Sequence, residues 1–139
     1  MLLFHDGGKG RPRAQRILTD MNPTQQRLAE IFDIQQQMLD HTMALVAERG
    51  LTNVIATQGD AQTLPYDDGG FDAVVLTTTL GEIPDPDAAL AEIARVLRPG
   101  GRLVVGELFG DPHYTSPGTL RRRGERAGLR LQHRSGPPF

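Results

Sequence analysis

Short runs of β-branched and apolar residues recur through the C-terminal two thirds of the chain. They occupy residues 53–58, 71–78 and 102–108, and each run is long enough for one strand. The run at 71–78 is nearly continuous, which is typical of a strand buried on both faces of a parallel sheet. A weaker pattern at residues 129–133 predicts a final strand.

Helical periods separate these runs. Asp85 or Asp87 stands near the start of a predicted helix whose buried stripe contains Leu90, Ile93 and Leu97, and residues 99–101 end it. Ser116-Pro117 begins a last helix over about residues 117–127. Alternating strands and helices predict an α/β fold with a mostly parallel sheet between helical layers.

Residues 23–49 admit two interpretations. Apolar residues recur at helical spacing, Asn22-Pro23 is a helix-start signal, and the next glycine or proline after Pro23 is Gly50. The pattern alone therefore favours one long amphipathic helix. The alternative, which rests on the family resemblance described below and not on the pattern, places the end of a strand at residues 30–35 and a helix only at 37–49.

Length, composition and charge indicate a single small domain and give no sign of a membrane protein or a nucleic-acid-binding protein. The chain has 139 residues, 38% of them hydrophobic, a net charge of −2 and no cysteine. This suits one small domain, with no overall attraction to nucleic acid or anionic membranes. No apolar run approaches the ~20 residues of a membrane span. We expect a soluble, cytoplasmic protein in which a flexible N-terminal segment, residues 1–22, precedes a partial domain at residues 23–139.

Three motifs follow one another in the chain: Asp60-Ala61-Gln62-Thr63-Leu64-Pro65-Tyr66, then Phe71-Asp72-Ala73-Val74-Val75-Leu76, then Val96-Leu97-Arg98-Pro99-Gly100-Gly101. With them, residues 33–128 or so resemble a class I S-adenosylmethionine (SAM)-dependent methyltransferase of the ubiquinone/menaquinone-biosynthesis-like group. The resemblance implies an incomplete three-layer Rossmann-like sandwich and SAM as the cofactor.

The resemblance also implies roles for particular residues. Asp60 would accept from the adenine amino group, and the Ala61 N–H would meet the adenine ring. Asp33, followed by Ile34, would bind the ribose hydroxyls, and Thr77 would face the methionine part of SAM. Asp33 has a competing interpretation as a solvent-facing residue of the long helix.

The methyl-acceptor side offers weaker candidates. Glu82 and His113 lie in segments that match the acceptor side of the family, and each is a candidate catalytic residue. Methyl transfer depends mainly on in-line positioning and needs no obligatory acid–base pair. The basic run Arg121-Arg122-Arg123 is interpreted as a solvated helix face. The four histidines share no metal-ligand spacing, so no metal site is predicted.

The glycine-rich cofactor loop of the family and the strand before it have no clear counterpart. Gly7-Gly8-Lys9-Gly10 is either a relic of that loop or part of a flexible segment. Loss of a central strand would leave neighbouring strands with unpaired edges. The strand at 53–58 could pair directly with the one at 71–78, residues 1–4 could form a short first strand, or a second copy could supply the edge in a homodimer.

Two functions from different classes remain open. One is a shortened methyltransferase acting on a small-molecule acceptor, and the other is a non-catalytic remnant that serves as an interaction or structural subunit. Because the glycine-rich loop contacts the reacting end of SAM, we expect the chain to bind SAM weakly or not at all. Any methyl transfer is expected to be slow.

Overall fold

The computed structural model describes residues 1–6 and 27–136. Within them, strands β1 (Leu2–Asp6), β2 (Arg27–Asp33), β3 (Val54–Gln58), β4 (Phe71–Thr77) and β5 (Leu97–Gly106) form one sheet in the order β3-β2-β1-β4-β5. Helices α1 (Gln36–Glu48), α2 (Pro86–Val96) and α3 (Pro117–Arg126) accompany it. The predicted α/β class with a mostly parallel sheet is confirmed.

The central strand runs against the others. β1 pairs antiparallel with β2 on one side and with β4 on the other, whereas β2–β3 and β4–β5 are parallel pairs. Leu3 lies opposite both Glu30 and Val74. Of the three predicted ways to close the sheet, the first strand near residues 1–4 is therefore the one that occurs. β3 and β4 do not pair directly.

The two faces of the sheet are covered differently. Because side chains alternate along a strand, Leu3, Val74 and Leu76 share one face, where they join Leu90 and Ile93 of α2 in the main core. We call this the core face. On the opposite face, Leu2, Ile31 and Val75 lie near Leu39 of α1. Helices thus lie on both sides, as the three-layer prediction requires.

α2 begins as the sequence predicts and ends earlier. The Asp85 side chain accepts from the N–H groups of Asp87 and Ala88, which caps the first turn. The helix ends at Val96, and the next residue already belongs to β5. The segment Pro99-Gly100-Gly101 therefore lies inside β5, where pairing with β4 skips from Leu97 to Arg102. The skip forms a bulge, and Gly100 there has a φ of +78°.

Three other predictions need correction. The single helix over residues 23–49 is wrong, because residues 27–33 form β2 and the helix begins at Gln36. Pairing in the sheet overrides the helical period there and buries Phe32. Residues 129–133 form no strand. Residues 2–6 lie in the sheet rather than in a flexible segment, and the proposed boundary at 22/23 lies outside the described residues.

A polar cluster is buried in the core face beside β1. His5 and Glu30 are both almost fully buried, and His5 Nε2 lies 3.5 Å from Glu30 Oε1. The Tyr66 hydroxyl donates to Glu30 Oε2 at 3.0 Å, and the Thr57 hydroxyl donates to the same atom at 3.3 Å. Burial, and next the nearby Glu30 carboxylate, raise the pKa of Tyr66, so it remains a donor to Glu30.

Replacing Leu3 by Ala tests the central position of β1. Leu3 is 0% exposed and Leu2 is 37% exposed, so Leu2→Ala in the same strand is the matched control. We expect Leu3→Ala to lower the free energy of unfolding by about 2–5 kcal/mol and Leu2→Ala to lower it by about 1 kcal/mol. Urea unfolding measures both. Equal losses would contradict the register.

Candidate functional site

The carboxyl ends of four strands meet at one edge of the sheet. β2, β3, β4 and β5 run in the same direction, and open α/β sheets bind ligands at that edge. Asp33 ends β2, Asp60 follows β3, Thr77 ends β4 and Glu107 follows β5. The sequence prediction that Asp60, Ala61 and Thr77 share this edge agrees with the strand directions.

A cleft of about 250 Å³ opens between α1 and this edge. We call it the α1 cleft. Asp33 and Thr77 line it, together with residues that the sequence did not single out for a site: Met1, Leu2, Ile31, Met38, Leu39, Thr42, Val75 and Thr79. Ile34, Asp60 and Ala61 are not among its lining residues. The structure therefore brings together two of the five predicted cofactor residues in one cleft.

The loops after β2 and β3 are tied to each other. Asp33 Oδ1 accepts from the Gln35 N–H at 2.8 Å, and the Asp33 carbonyl accepts from the Gly59 N–H at 3.0 Å. The Gln58 side-chain amide donates to the Ile34 carbonyl at 3.1 Å. These bonds hold Asp33 beside the start of the Asp60 loop and leave the Ile34 side chain exposed.

Asp60 is held within its own loop. Oδ1 accepts from the Gln62 N–H at 2.8 Å, and both carboxylate oxygens accept from the Gln62 side-chain amide. These bonds, the backbone one first, hold the pKa of Asp60 below its ordinary value, so the side chain is an acceptor at neutral pH. Ala61 packs against the core cluster.

Arg95 of α2 anchors the rest of this loop. Its guanidinium donates to the carbonyls of Leu64 and Tyr66 at 3.0 and 2.9 Å and to the Asp68 carboxylate at 2.6 Å. Glu92, whose pKa the Arg95 guanidinium lowers, accepts from the Leu64 N–H at 2.8 Å. Hydrogen bonds with two side chains of α2 therefore fix the conformation of residues 64–68.

The backbone of Met1 reaches the place where β2 and β4 end. Its ammonium donates to the Phe32 carbonyl at 3.0 Å, and its carbonyl accepts from the Phe32 N–H at 2.9 Å. Burial lowers the pKa of this amino group, while the Asp33 carboxylate opposes the shift. Met1 and Asp33 therefore lie together in the lining of the α1 cleft.

The two weak catalytic candidates lie away from the α1 cleft. Glu82 is exposed in the 3₁₀ turn Leu80–Glu82. His113 is exposed and packs through its backbone against Gly81, where an added Cβ would lie 1.8 Å from the His113 carbonyl oxygen. Neither residue lines the cleft. Thr78, just before this turn, has a φ of +49°, a strained value for a β-branched residue.

Glu107 is a carboxylate at this edge that sequence reasoning missed. Burial, and to a lesser degree Asp111, raise its pKa, and its Oε2 accepts from the Thr115 N–H at 3.4 Å. Its Oε1 is buried without a hydrogen bond among the residues that the structure describes. The available signal was its position, because an acidic residue directly after a buried parallel strand falls at the ligand-binding edge.

The structure bears on metal sites and membrane spans, but not on the candidate glycine-rich loop. Gly7-Gly8-Lys9-Gly10 lies outside the described residues. Within residues 1–6 and 27–136, no group of three or more His, Cys, Asp or Glu side chains could hold a metal ion. The described helices contain 13, 11 and 10 residues, and none of them is long and apolar enough to cross a bilayer.

Comparison with known proteins identifies the family. The methyltransferase domain family matches residues 8–105. The ubiquinone/menaquinone biosynthesis C-methyltransferase UbiE of Cellvibrio japonicus is 43% identical over 84 residues, which cover 60% of this chain and 33% of the relative. The demethylmenaquinone methyltransferase of Mycolicibacterium gilvum is 47% identical over 73 residues, which cover 52% and 32%.

A solved structure has a similar fold. The [4+2]-cyclase SpnF matches with a TM-score of 0.64 and 33% identity, over 71% of this chain and 41% of that one. The chain belongs to the methyltransferase domain family, for which SAM is the cofactor. It spans about a third of the length of UbiE and of the demethylmenaquinone methyltransferase, so the activity of a complete protein does not follow from the match.

Glu107→Gln tests the protonation of the missed carboxylate. Because burial raises its pKa in the folded state, the folded protein binds this proton more tightly than the unfolded chain does. Stability therefore falls as the pH rises from the ordinary glutamate pKa, about 4.3, through the raised one. We expect the wild type to lose stability relative to Glu107→Gln between about pH 4 and about pH 8.

Urea unfolding at the two pH values measures this difference. Glu82→Gln, which removes an exposed carboxylate in the nearby turn, is the control and should leave the pH dependence unchanged. A pH dependence that is the same in wild type and Glu107→Gln would mean that Glu107 titrates alike in the folded and unfolded chains.

Proposed function

We propose that the chain binds the adenosine half of SAM at the carboxyl edge with low affinity, and that methyl transfer to a small-molecule acceptor is slow. The observation that carries this proposal is the common edge of Asp33, Asp60 and Thr77, which follows from the shared direction of β2, β3 and β4. Family membership supplies the identity of the cofactor.

Each of these residues has a chemical group suited to its proposed partner. The Asp33 carboxylate accepts from the ribose hydroxyls, and the exposed Ile34 side chain covers one face of the base. Asp60 accepts from the adenine amino group, and the Ala61 N–H donates to the ring. Thr77, which is exposed at the end of β4, faces the methionine part.

Few of the described groups at the carboxyl edge could contact the methionine end of SAM. A glycine-rich loop must leave its strand at the carboxyl edge, but β1 ends at the opposite edge, where Asp6 pairs with Arg27. Met1, which directly precedes β1, lies in the corresponding place at the carboxyl edge. Loss of about three hydrogen bonds, each worth ~0.5–1.5 kcal/mol, weakens binding about 10- to 2,000-fold.

The same loss limits the chemistry. When bound, SAM supplies a methyl group on a positively charged sulfur, and transfer requires the acceptor atom in line with the breaking bond. The described residues position the adenosine half through Asp33 and Asp60, which are remote from the reacting end. Small displacements of the methyl group then cost orders of magnitude in rate.

A non-catalytic role is the second candidate. The α1 cleft, at about 250 Å³, is smaller than the ~300–1,000 Å³ typical of small-molecule sites. The similar structure of SpnF, a [4+2]-cyclase, supports a separate point, that this fold alone does not imply methyl transfer. The predicted homodimer, cytoplasmic location and absence of nucleic-acid partners stay predictions.

Isothermal titration with SAM and with S-adenosylhomocysteine tests the proposal. We expect both to bind with dissociation constants of roughly 0.1–1 mM, since family-typical contacts are missing. Asp33→Asn and Asp60→Asn should each weaken binding further. Asp40→Asn is the matched control, because Asp40 lies on α1 but is exposed and accepts from Gln36 in its own helix.

Two outcomes would contradict the proposal in opposite ways. A dissociation constant in the low micromolar range, weakened by Asp60→Asn, would restore an efficient cofactor site. Absence of binding at several millimolar ligand, or equal effects of Asp33→Asn and Asp40→Asn, would remove the adenosine site and favour the non-catalytic role.

A further inference from the structure

A second cavity of about 420 Å³ lies on the other side of the carboxyl edge. It is open to solvent and is lined by the loop after β4, the first residue of α2, the loop after β5 and helix α3. We call it the α3 cavity. Its walls include His113, Thr119 and Arg123, together with Pro86, Pro112 and Tyr114. None of its lining residues lines the α1 cleft, so it is a separate space.

The walls of the α3 cavity are held in place by specific contacts. Gly81 packs directly on the His113 backbone, which no larger residue could do without displacing the loop. The Asp111 carboxylate accepts from the His113 N–H at 2.7 Å. Glu107 accepts from the Thr115 N–H at 3.4 Å. The loop over residues 111–115 is therefore organised without a ligand, which lowers the cost of binding one.

The arrangement of charges leaves a cation on the wall. Asp87 of α2 receives two hydrogen bonds from Arg126, at 3.0 and 2.9 Å, whereas its closest approach to Arg123 is 3.8 Å. Arg123 and Arg126 therefore share Asp87 as an ion-pair partner, but the hydrogen bonds come from Arg126. Among the described residues the Arg123 guanidinium, whose side chain is 28% exposed, donates no hydrogen bond, so its N–H groups are available to the cavity. Arg122 donates to Thr119 Oγ1 at 3.2 Å, and this bond helps to hold the Thr119 side chain, which lines the cavity.

The donors in this cavity are side chains rather than a helix end. Ser116 Oγ accepts from the Thr119 N–H at 3.3 Å and so caps the first turn of α3. A guanidinium binds a carboxylate through parallel N–H groups. Pro86, Pro112 and Tyr114 provide an apolar surface beside it, and the volume is in the range of small-molecule sites.

We propose that the α3 cavity binds a small organic carboxylate. Arg123 engages the carboxylate, and the apolar part of the ligand lies against the prolines and Tyr114. The basic run Arg121-Arg122-Arg123 was interpreted from the sequence as a solvated helix face, but under this proposal its arginines have different roles. Arg121 is 57% exposed and 3.9 Å from Glu125 of its own helix, while Arg123 faces the cavity. This inference does not depend on SAM binding.

Titration of the ¹⁵N-labelled full chain with benzoate, followed by NMR, tests the proposal without SAM. Benzamide has the same shape and no charge, so it separates recognition of the carboxylate from recognition of the ring. We expect benzoate to shift resonances of residues 112–123 and to bind at least about 10-fold more tightly than benzamide, which corresponds to ~1.4 kcal/mol.

Variants of α3 identify the residue responsible. Arg123→Gln should reduce the affinity for benzoate about 10-fold, Arg123→Lys should retain part of it, and Arg121→Gln, the matched control, should leave it unchanged. Equal binding of benzoate and benzamide by the wild type would overturn the proposal without any variant. Equal affinities of Arg123→Gln and Arg121→Gln would overturn it as well.

Discussion

The backbone edges of β2 and β4 that face each other must both find hydrogen-bond partners, and the rest of the structure depends on this constraint. Both strands carry core residues, Phe32 on β2 and Val74 and Leu76 on β4, so their facing edges are buried. An unpaired buried N–H or C=O group costs about 1–3 kcal/mol, and a whole strand edge would exceed the stability of a small domain. β1 removes this cost on both sides at once, with Leu3 opposite Glu30 and Val74.

The direction of β1 then determines what stands at the functional edge. An antiparallel central strand begins, rather than ends, at the carboxyl edge, so Met1 lies between the ends of β2 and β4. The direction of β1 does not change the positions of Asp33, Asp60 and Thr77. They lie at the carboxyl edge because β2, β3 and β4 all end there. The edge therefore retains the groups proposed for adenosine, while the place for the reacting end of the cofactor is altered.

Sequence patterns predicted most of the elements that depend on local signals. The starts of α2, near Asp85 or Asp87, and of α3, at Ser116-Pro117, and the continuous apolar run of β4 are local signals, and each was predicted from the residues. The structure shows that Asp85 caps α2 and Ser116 caps α3. β2 was missed by pattern alone because Ile31 and Phe32 also fit a helical period, and only pairing with β1 and β3 decides between the two. Resemblance supplied Asp33, Asp60 and Thr77.

The direction of β1 and the raised pKa of Glu107 could not be predicted from the sequence, although the position of Glu107 after β5 could have marked it as a residue of the carboxyl edge. Buried Leu3 and His5 alternate with less buried neighbours in β1. This alternation fits a parallel and an antiparallel strand equally well, so the sequence does not determine the direction of β1. The raised pKa of Glu107 comes mainly from burial, with Asp111 as a minor cause, and the tertiary contacts that bury it leave no local signal. The separate α3 cavity likewise depends on the contact between Gly81 and His113.

Backbone NOEs of the ¹⁵N,¹³C-labelled chain test the central claim most directly. Met1 and Phe32 exchange both of their hydrogen bonds, so the alternate pairs Leu2–Ile31 and Phe4–Ala29 are the closely spaced ones. We predict strong Hα–Hα NOEs within both of these pairs. Their absence, with sequential contacts between β1 and β2 that instead increase in the same direction, would show a parallel first strand and contradict this account.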